Sequence, residues 1–477
     1  RQAVCVVFDL FQNSEIPLSN LHKIKMSCAG FSWSRPTGAL RISSGGHLSS
    51  GFHRCPLSCL IFRSSCDANF VVSCSSTSGP SDSLLENSSN RSYSRRWHNP
   101  LPRRRHPDQM PTCRIFVRDW IDSDTSSVSQ ATERVTVVSY NILGDRNSLY
   151  HRDLYSNVSF PYLKWGYRKR LICEELIRLK PDIICLQEVD KYFDLFSMME
   201  KAGYAGSYKR RTGDNIDGCA MFWKADRYRV LERENIEFSQ FGMCDNVAQL
   251  AVLEMQKSKS RKLLLGNIHV LYNPRRGDVK LGQIRSLCSK AHLLSKKWGD
   301  IPIILGGDFN STPQSPLYNF LASSELNLMK HDKRELSGQR NCNPTQVLET
   351  GNKSSNNTTT SISRCISSSW SNEEIRVATG QEHSYWAVHP LKLHSSYASV
   401  KGSTNTRDSV GEPLATSYHS KFLGTVDYLW YSDGLVPARV LDTLPIDVLC
   451  KTKGLPCQEL GSDHLVLLSE FFFEPNG

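Results

Sequence analysis

Apolar positions fall into two regimes along this chain. Up to about residue 130 the chain is Ser/Arg-rich, and residues 76–110 are rich in Ser, Asn, Arg and Pro with no strand or helix spacing. Beyond Arg134 apolar residues gather into short runs with strand or helix spacing. Val135 to Tyr140 is β-rich and runs straight into Asn141. Tyr167 to Lys180 carries Leu171, Ile172, Leu176 and Leu179 at helical intervals, and Pro181 stops it. Asp182 to Leu186 reads as a short buried strand, and Phe193 to Lys201 as a helix closed by Gly203. Strands follow around Tyr208 and over Cys219–Trp223, Val230–Phe238, Ala248–Glu254 and Lys262–His269. Asp278–Lys297 has the pattern of a long amphipathic helix, Ile301–Leu305 of a buried strand, and Ser315–Ala322 of a helix. Two groups of strands with helices between them predict an α/β fold: a four-layer sandwich of two packed mixed β-sheets flanked by helices.

From His331 to Lys421 the pattern dissolves into Ser, Asn, Thr and Gly, and Asn352–Ser363 is almost purely polar. Such a stretch cannot feed a core, so a disordered polar insert is expected at about 331–385. A gap this long usually argues against one continuous domain. Apolar order nevertheless resumes at Phe422–Tyr431 and closes with the β-like run Leu465–Phe473, so the domain is drawn over 131–475. Residues 1–130 form a basic, Ser/Arg-rich leader expected to be largely disordered. No Asp or Glu occurs from Met26 to Cys66, which is transit-peptide composition as well as that of an ordinary disordered segment. The run Arg103-Arg104-Arg105 fits a solvated charge cluster, an RNA contact or a nuclear import signal.

Formal charge is +11, and the chain up to Arg134 holds 16 Lys/Arg against 10 Asp/Glu, so the excess is spread over leader and domain alike. A positive balance suits a polyanionic partner. The 16 cysteines are irregularly spaced with no Cys-x-x-Cys pair, and Cys173, Cys185 and Cys219 sit inside apolar patterns. That favours reduced thiols over a disulfide framework or a zinc site. No run of eighteen apolar residues occurs, so no membrane span is expected.

Six polar clusters stand at the ends of strand-like runs: Ser-Tyr-Asn (139–141), Leu-Gln-Glu (186–188), Asn-Ile-His (267–269), Gly-Gly-Asp-Phe-Asn (306–310), Thr-Val-Asp-Tyr (425–428) and Ser-Asp-His (462–464). Each places a carboxylate, amide or imidazole where a sheet hands over to a loop, and together they supply what phosphodiester hydrolysis needs. Mg²⁺ (or Mn²⁺) is the natural neutraliser of phosphoryl charge, with Glu188 the best ligand and Asp463 the next. Asp308 can orient or deprotonate the attacking water, and Asn310 can donate to the charged transition state. His464 can contact the scissile phosphate while Asp427 accepts from its other ring nitrogen. His269 offers a second phosphate contact, and Asn141 supports Glu188 and the phosphate.

These motifs resemble the exonuclease–endonuclease–phosphatase superfamily, most closely its carbon catabolite repressor-type (plant) poly(A) deadenylases, related to Nocturnin and Angel. The likeness covers roughly Arg134–Phe473. It is most specific at Ser139–Leu143, Leu186–Val189, Asp217–Ala220, Asn273-Pro274 with Gly277–Lys280, Gly307–Asn310 and Phe422–Tyr428. The resemblance implies Mg²⁺-dependent 3′-to-5′ removal of poly(A) from mRNA with release of AMP. It also implies that Pro274 and Phe422 sandwich the terminal base of single-stranded poly(A) RNA, stacking being a sequence-tolerant way to hold an unpaired base. A phosphatase acting on a small adenine nucleotide, such as the 2′-phosphate of NADP or a cyclic phosphate, would use the same groups. A non-catalytic RNA-binding adaptor would have lost some of them.

Leu143 occupies the position that is acidic in the repair endonucleases of the superfamily, and no inositol-phosphatase motif follows Asp427. Leucine-rich repeats, which dock some deadenylases on their scaffold, are missing, so docking on that complex would need other contacts. Cytoplasm and nucleus are the compartments the resemblance implies, with mitochondrion or plastid left open by the acid-poor leader.

Overall fold

A computed structural model describes residues 116–124, 133–258, 261–350 and 370–474. The acid-poor stretch, the basic run 103–105 and the polar segment 352–363 lie outside these residues. The first described residues already belong to the fold: β1 (Trp120–Asp122) pairs at a sheet edge, which puts the start of the domain earlier than residue 131.

One sheet is built from β1, β2 (Arg134–Asn141), β3 (Ile183–Gln187), β4 (Tyr204–Arg210), β5 (Gly218–Lys224), β16 (Leu435–Leu441) and β17 (Leu467–Phe473). Its strand order is β1-β16-β17-β2-β3-β5-β4. The second contains β6 (Tyr228–Glu237), β7 (Val247–Met255), β8 (Lys262–His269), β9 (Ile303–Asp308), β12 (His394–Ser395) and β15 (Asp427–Tyr431), in the order β12-β15-β9-β8-β7-β6. Both sheets are mixed: β2 runs parallel to β3 and β8 parallel to β9, while their other pairings are antiparallel. Two small pairs complete the strands, β10 (Glu325–Asn327) with β11 (Trp386–Val388) and β13 (Ser417–His419) with β14 (Phe422–Gly424).

Period-two alternation decides which side chains face which layer. On β2, Val135 and Val137 enter the core between the sheets, whereas Val138 and Tyr140 point outward. Ile183 and Cys185 likewise face inward and Ile184 and Leu186 outward. In the second sheet Leu263, Leu265 and Ile304 face the first, while Leu264, Ile268, Ile303 and Leu305 face the opposite way. Each outward face is covered by helices. α1 (Asp145–Tyr150) and α2 (Phe160–Leu163) lead to α3 (Trp165–Leu179) and α4 (Tyr192–Lys201), which bury Ile172, Leu176, Leu195 and Met199 against the seven-stranded sheet. α5 (Gly277–Lys297) and α6 (Pro316–Ser323) cover the six-stranded sheet with Ile284, Leu287, Ala291 and Phe320. The result is the four-layer sandwich expected from the pattern.

The ends of the supposed insert are part of this architecture. Residues 331–350 lead through short turns into α7 (Pro344–Thr350), and α8 (Asn372–Thr379) packs on α5 through Ile375, Val377 and Ala378. A reciprocal capping box starts α8: the Ser371 hydroxyl accepts from Glu374 N, and Glu374 accepts from Ser371 N. The last helix, α9 (Ile446–Lys451), lies between β16 and β17 in the chain.

Candidate active site

Alternation also explains why the polar residues converge. Asn141 continues the inward row of Val135 and Val137, His269 that of Leu263 and Leu265, and Asp308 that of Ile304. Asp427 pairs in register with Asp308 and precedes the inward-facing Leu429. All four thus emerge at one end of the seam between the sheets. Beneath them a buried amide stitch joins the layers: Gln187 Nε2 donates to Asn267 Oδ1 at 2.8 Å, and Asn267 Nδ2 donates to the carbonyls of Leu186 and Ala220. Small residues let the sheets approach there. A Cβ on Gly306 would lie 3.1 Å from Leu429 and within 3.6 Å of the Cβ atoms of Ser139 and Cys185.

Asn141 is fully buried and its amide orientation is fixed, because Oδ1 accepts from Leu143 N at 3.0 Å. Its Nδ2 donates to Glu188 Oε1 and to Asp308 Oδ2, both at 3.1 Å. Asn141 therefore clamps one carboxylate from each half of the site, and its two amide protons are spent on them rather than on a phosphate. Glu188 leaves the end of β3 with φ of 55°. Its other oxygen accepts from Gly144 N at 3.1 Å and Asn147 Nδ2 at 2.8 Å. Asp308 also accepts from Asn310 N at 2.9 Å, and His269 Nε2 lies 3.5 Å from its Oδ2. Burial first, and then the neighbouring Asp427, push the Asp308 carboxyl up to about 7.

His464 Nδ1 sits 2.8 Å from Asp427 Oδ2, which also accepts from Thr416 Oγ1 at 2.6 Å. Burial opposes a charge on His464, but Asp427, Asp463 and Asp308 together outweigh it and hold the imidazole well above its usual range, as a cation. His269 has the opposite fate. Burial pushes it down to about 4, so it stays neutral, able to donate a hydrogen bond but not to supply charge. Asn310, with φ of 47°, donates from Nδ2 to Val270 O at 2.9 Å, which leaves one amide proton for a substrate.

Asp463 accepts from Tyr155 OH at 2.8 Å. Among the described residues no Lys or Arg stands within ion-pair distance of Glu188, Asp308 or Asp463; their partners are neutral donors and His269. Asp427 Oδ1 is buried without a partner. This uncompensated negative charge fits a divalent cation. Asp308, Asp427 and His464 bring ligand atoms within 4.8 Å of one another, a cluster that could hold a metal only once His464 gives up its proton, whereas Glu188 offers an all-oxygen position of the kind hard cations prefer.

Glu188, His269, Asp308, Asn310, Asp463 and His464 all line one cleft of about 560 Å³, and Pro274 and Phe422 line it too. Asn141 and Asp427 stand directly behind them through the contacts above. Several contributors have no role in the sequence reading. Arg168, fully buried, donates to the carbonyls of Ile142 and Leu143 and so pins the loop that carries Gly144. Lys280, also fully buried, donates to Asn310 O at 2.7 Å and to Gln339 Oε1, while Gln339 Nε2 donates to Asn310 Oδ1 at 2.9 Å. Gln339 lies within the segment read as an insert. The available signals for this trio were the Gly277–Lys280 motif and a lysine on the apolar face of a predicted helix, neither of which names Gln339 as the partner.

The family model described as the Endonuclease/Exonuclease/phosphatase family matches residues 138–464. The chain is 83% identical to carbon catabolite repressor protein 4 homolog 3 of Arabidopsis thaliana, over 94% of this chain and 98% of that one. It is 47% identical to homolog 5 of the same plant, over 75% of this chain and 81% of that one. Among solved structures, ANGEL2, described as a 2′,3′-cyclic phosphatase in complex with adenosine-2′,3′-vanadate, superposes with a TM-score of 0.61 at 29% identity. That match covers 76% of this chain and 100% of the chain in that structure.

Proposed function

This chain belongs to the endonuclease/exonuclease/phosphatase family, and from that premise we propose that it is a Mg²⁺-dependent 3′-exoribonuclease that shortens poly(A) and releases AMP. The observation that carries the reading is one cleft lined both by the phosphate-handling groups and by Pro274 and Phe422. A proline and an aromatic ring are suited to hold an unpaired base, and a terminal adenosine seated on them brings its phosphodiester to Asp308, Asn310 and His464.

Glu188, with Asp463, would hold the cation, which when bound neutralises phosphoryl charge and polarises the P–O bonds. Asp308, buried and reached by hydrogen bonds from Asn141 and Asn310, accepts the proton of the attacking water. The His464 cation, held by Asp427, which Thr416 Oγ1 steadies in turn, and the free amide proton of Asn310 meet the developing charge on the phosphoryl oxygens. Neutral His269 donates a hydrogen bond beside them. Water adds to phosphorus as its proton passes to Asp308, the bond to the 3′-oxygen of the preceding nucleotide breaks, that oxygen takes up a proton from solvent, and AMP departs.

The test is product identity. With Mg²⁺ and A-tailed RNA the protein is expected to yield AMP and a tail shortened from its 3′ end, while Glu188→Ala yields neither. Equal rates on poly(U) would remove the adenine preference. A second reading, hydrolysis of an adenosine 2′,3′-cyclic phosphate, is favoured by the likeness to ANGEL2. Ring opening of that nucleotide, with no AMP released from RNA, would put it first.

A further inference from the structure

The cleft is a row, and strand order sets its sequence. At one end the β13–β14 hairpin presents Phe422 and is tied to His464 by the bridge Ser417–His464. Next come β15 and β9 with Asp427 and Asp308, and then β3 and β8 with Glu188 and His269. Beyond β3 the first sheet continues through β5 to β4, and Arg211 follows β4 directly. Arg211 therefore enters the cleft at the end opposite Phe422, and it lines the cleft together with Asn215.

Three facts mark this end as built for an anion. The Arg211 side chain is only 21% exposed, with Nη1 3.6 Å from Asp217 Oδ1, and Asp217 is itself buried, so the guanidinium has a firm seat. Arg211 Nε is buried without a hydrogen-bond partner, so the guanidinium is not fully spent on Asp217, and it stands beside His269, whose Nδ1 is likewise unpartnered. The other lysine or arginine lining the cleft, Lys421, is spent on an ion pair with Asp153. Guanidinium is the group whose donor fork matches phosphate oxygens.

We propose that Arg211 receives the phosphate one nucleotide upstream of the scissile one, so that the cleft recognises a polynucleotide end rather than a mononucleotide. The inference rests on the exoribonuclease reading. A terminal adenosine at Phe422 and a scissile phosphate at Asp308 leave the penultimate nucleotide's 5′-phosphate pointing along the row toward Arg211.

Two dinucleotides isolate this contact. ApA has only the scissile phosphate, whereas pApA adds the upstream one. Wild-type protein with Mg²⁺ is expected to show kcat/KM about tenfold higher on pApA than on ApA, the worth of one charge-assisted contact. In Arg211→Gln that ratio should fall to near one, and Arg211→Lys, which keeps a charge but not the fork, should lie between. Circular dichroism of both variants checks the fold. A wild-type ratio of one, or a tenfold ratio that survives in Arg211→Gln, overturns the proposal and leaves the exoribonuclease reading intact. If neither dinucleotide is hydrolysed and A-tailed RNA is not shortened, that reading fails instead. Equilibrium binding of the two dinucleotides to chelator-treated wild type and Arg211→Gln then still decides the role of Arg211, a preference for pApA lost in the variant supporting it and equal binding overturning it.

Discussion

At the level of single residues, the site depends on groups that never meet the substrate. Lys280 is the clearest case: burial pushes its ammonium down to about 7, and its hydrogen bonds fix both the backbone and the side-chain partner of Asn310. Lys280→Met should lower kcat on A-tailed RNA by about tenfold or more, because Asn310 loses its fixed orientation. Stability should fall by only about 1–2 kcal/mol in urea titrations. Leaving two acceptors unpaired costs that order, and removing a buried charge offsets part of it. A KM effect alone, with kcat unchanged, would argue that Lys280 does not position Asn310. The residues recognised from sequence were those whose chemistry is conspicuous, such as Glu188, Asp308 and His464. Arg168, Lys280, Thr416 and Tyr155 act through partners up to 308 positions away, and no local spacing encodes such a partnership.

At the level of elements, the strands were legible because inward and outward positions carry different chemistry on both sheets. Alternation needs only nearest neighbours, so β2, β3, β8 and β9 could be read directly, along with the polar residues at their ends. The ends of the supposed insert could not. α8 has only three buried apolar anchors and makes its place against α5, a contact invisible to composition, although its Ser371–Glu374 capping box stands in the sequence. The tight strand crossing at Gly306-Gly307 gives a further test. A Cβ at Gly307 would lie 2.1 Å from the Ile268 backbone oxygen, which cannot retreat without breaking the β8–β9 ladder. At Gly306 the nearest atom is the end of the Leu429 side chain at 3.1 Å, which can move. Gly307→Ala is expected to cost about 3 kcal/mol and Gly306→Ala about 1 kcal/mol, read from urea midpoints at constant slope. Equal costs would contradict this account of the crossing.

For the molecule as a whole, one buried acid remote from the chemistry should shape stability against pH. Burial pushes Glu412 up to about 7 from 4.5, and it accepts a hydrogen bond from Tyr318 OH at 2.9 Å. A carboxyl whose folded pKa exceeds its unfolded one favours the folded state while protonated. That advantage is complete below about 4.5, declines as pH rises, and is gone above about 7. Glu412→Gln should therefore match wild type near pH 4.5 and exceed it by about 3 kcal/mol at pH 8, measured by thermal or urea unfolding. A constant offset across that range would show that Glu412 does not titrate between the two values.

The seam between the sheets carries a final consequence. Glu188 and Asp463 come from the seven-stranded half of the sandwich, whereas His269, Asp308 and Asp427 come from the six-stranded half. Neither half alone carries the full set of groups that line the cleft, so a partly assembled molecule has no complete site, and whatever chemistry the cleft performs begins only once the two halves have closed on each other.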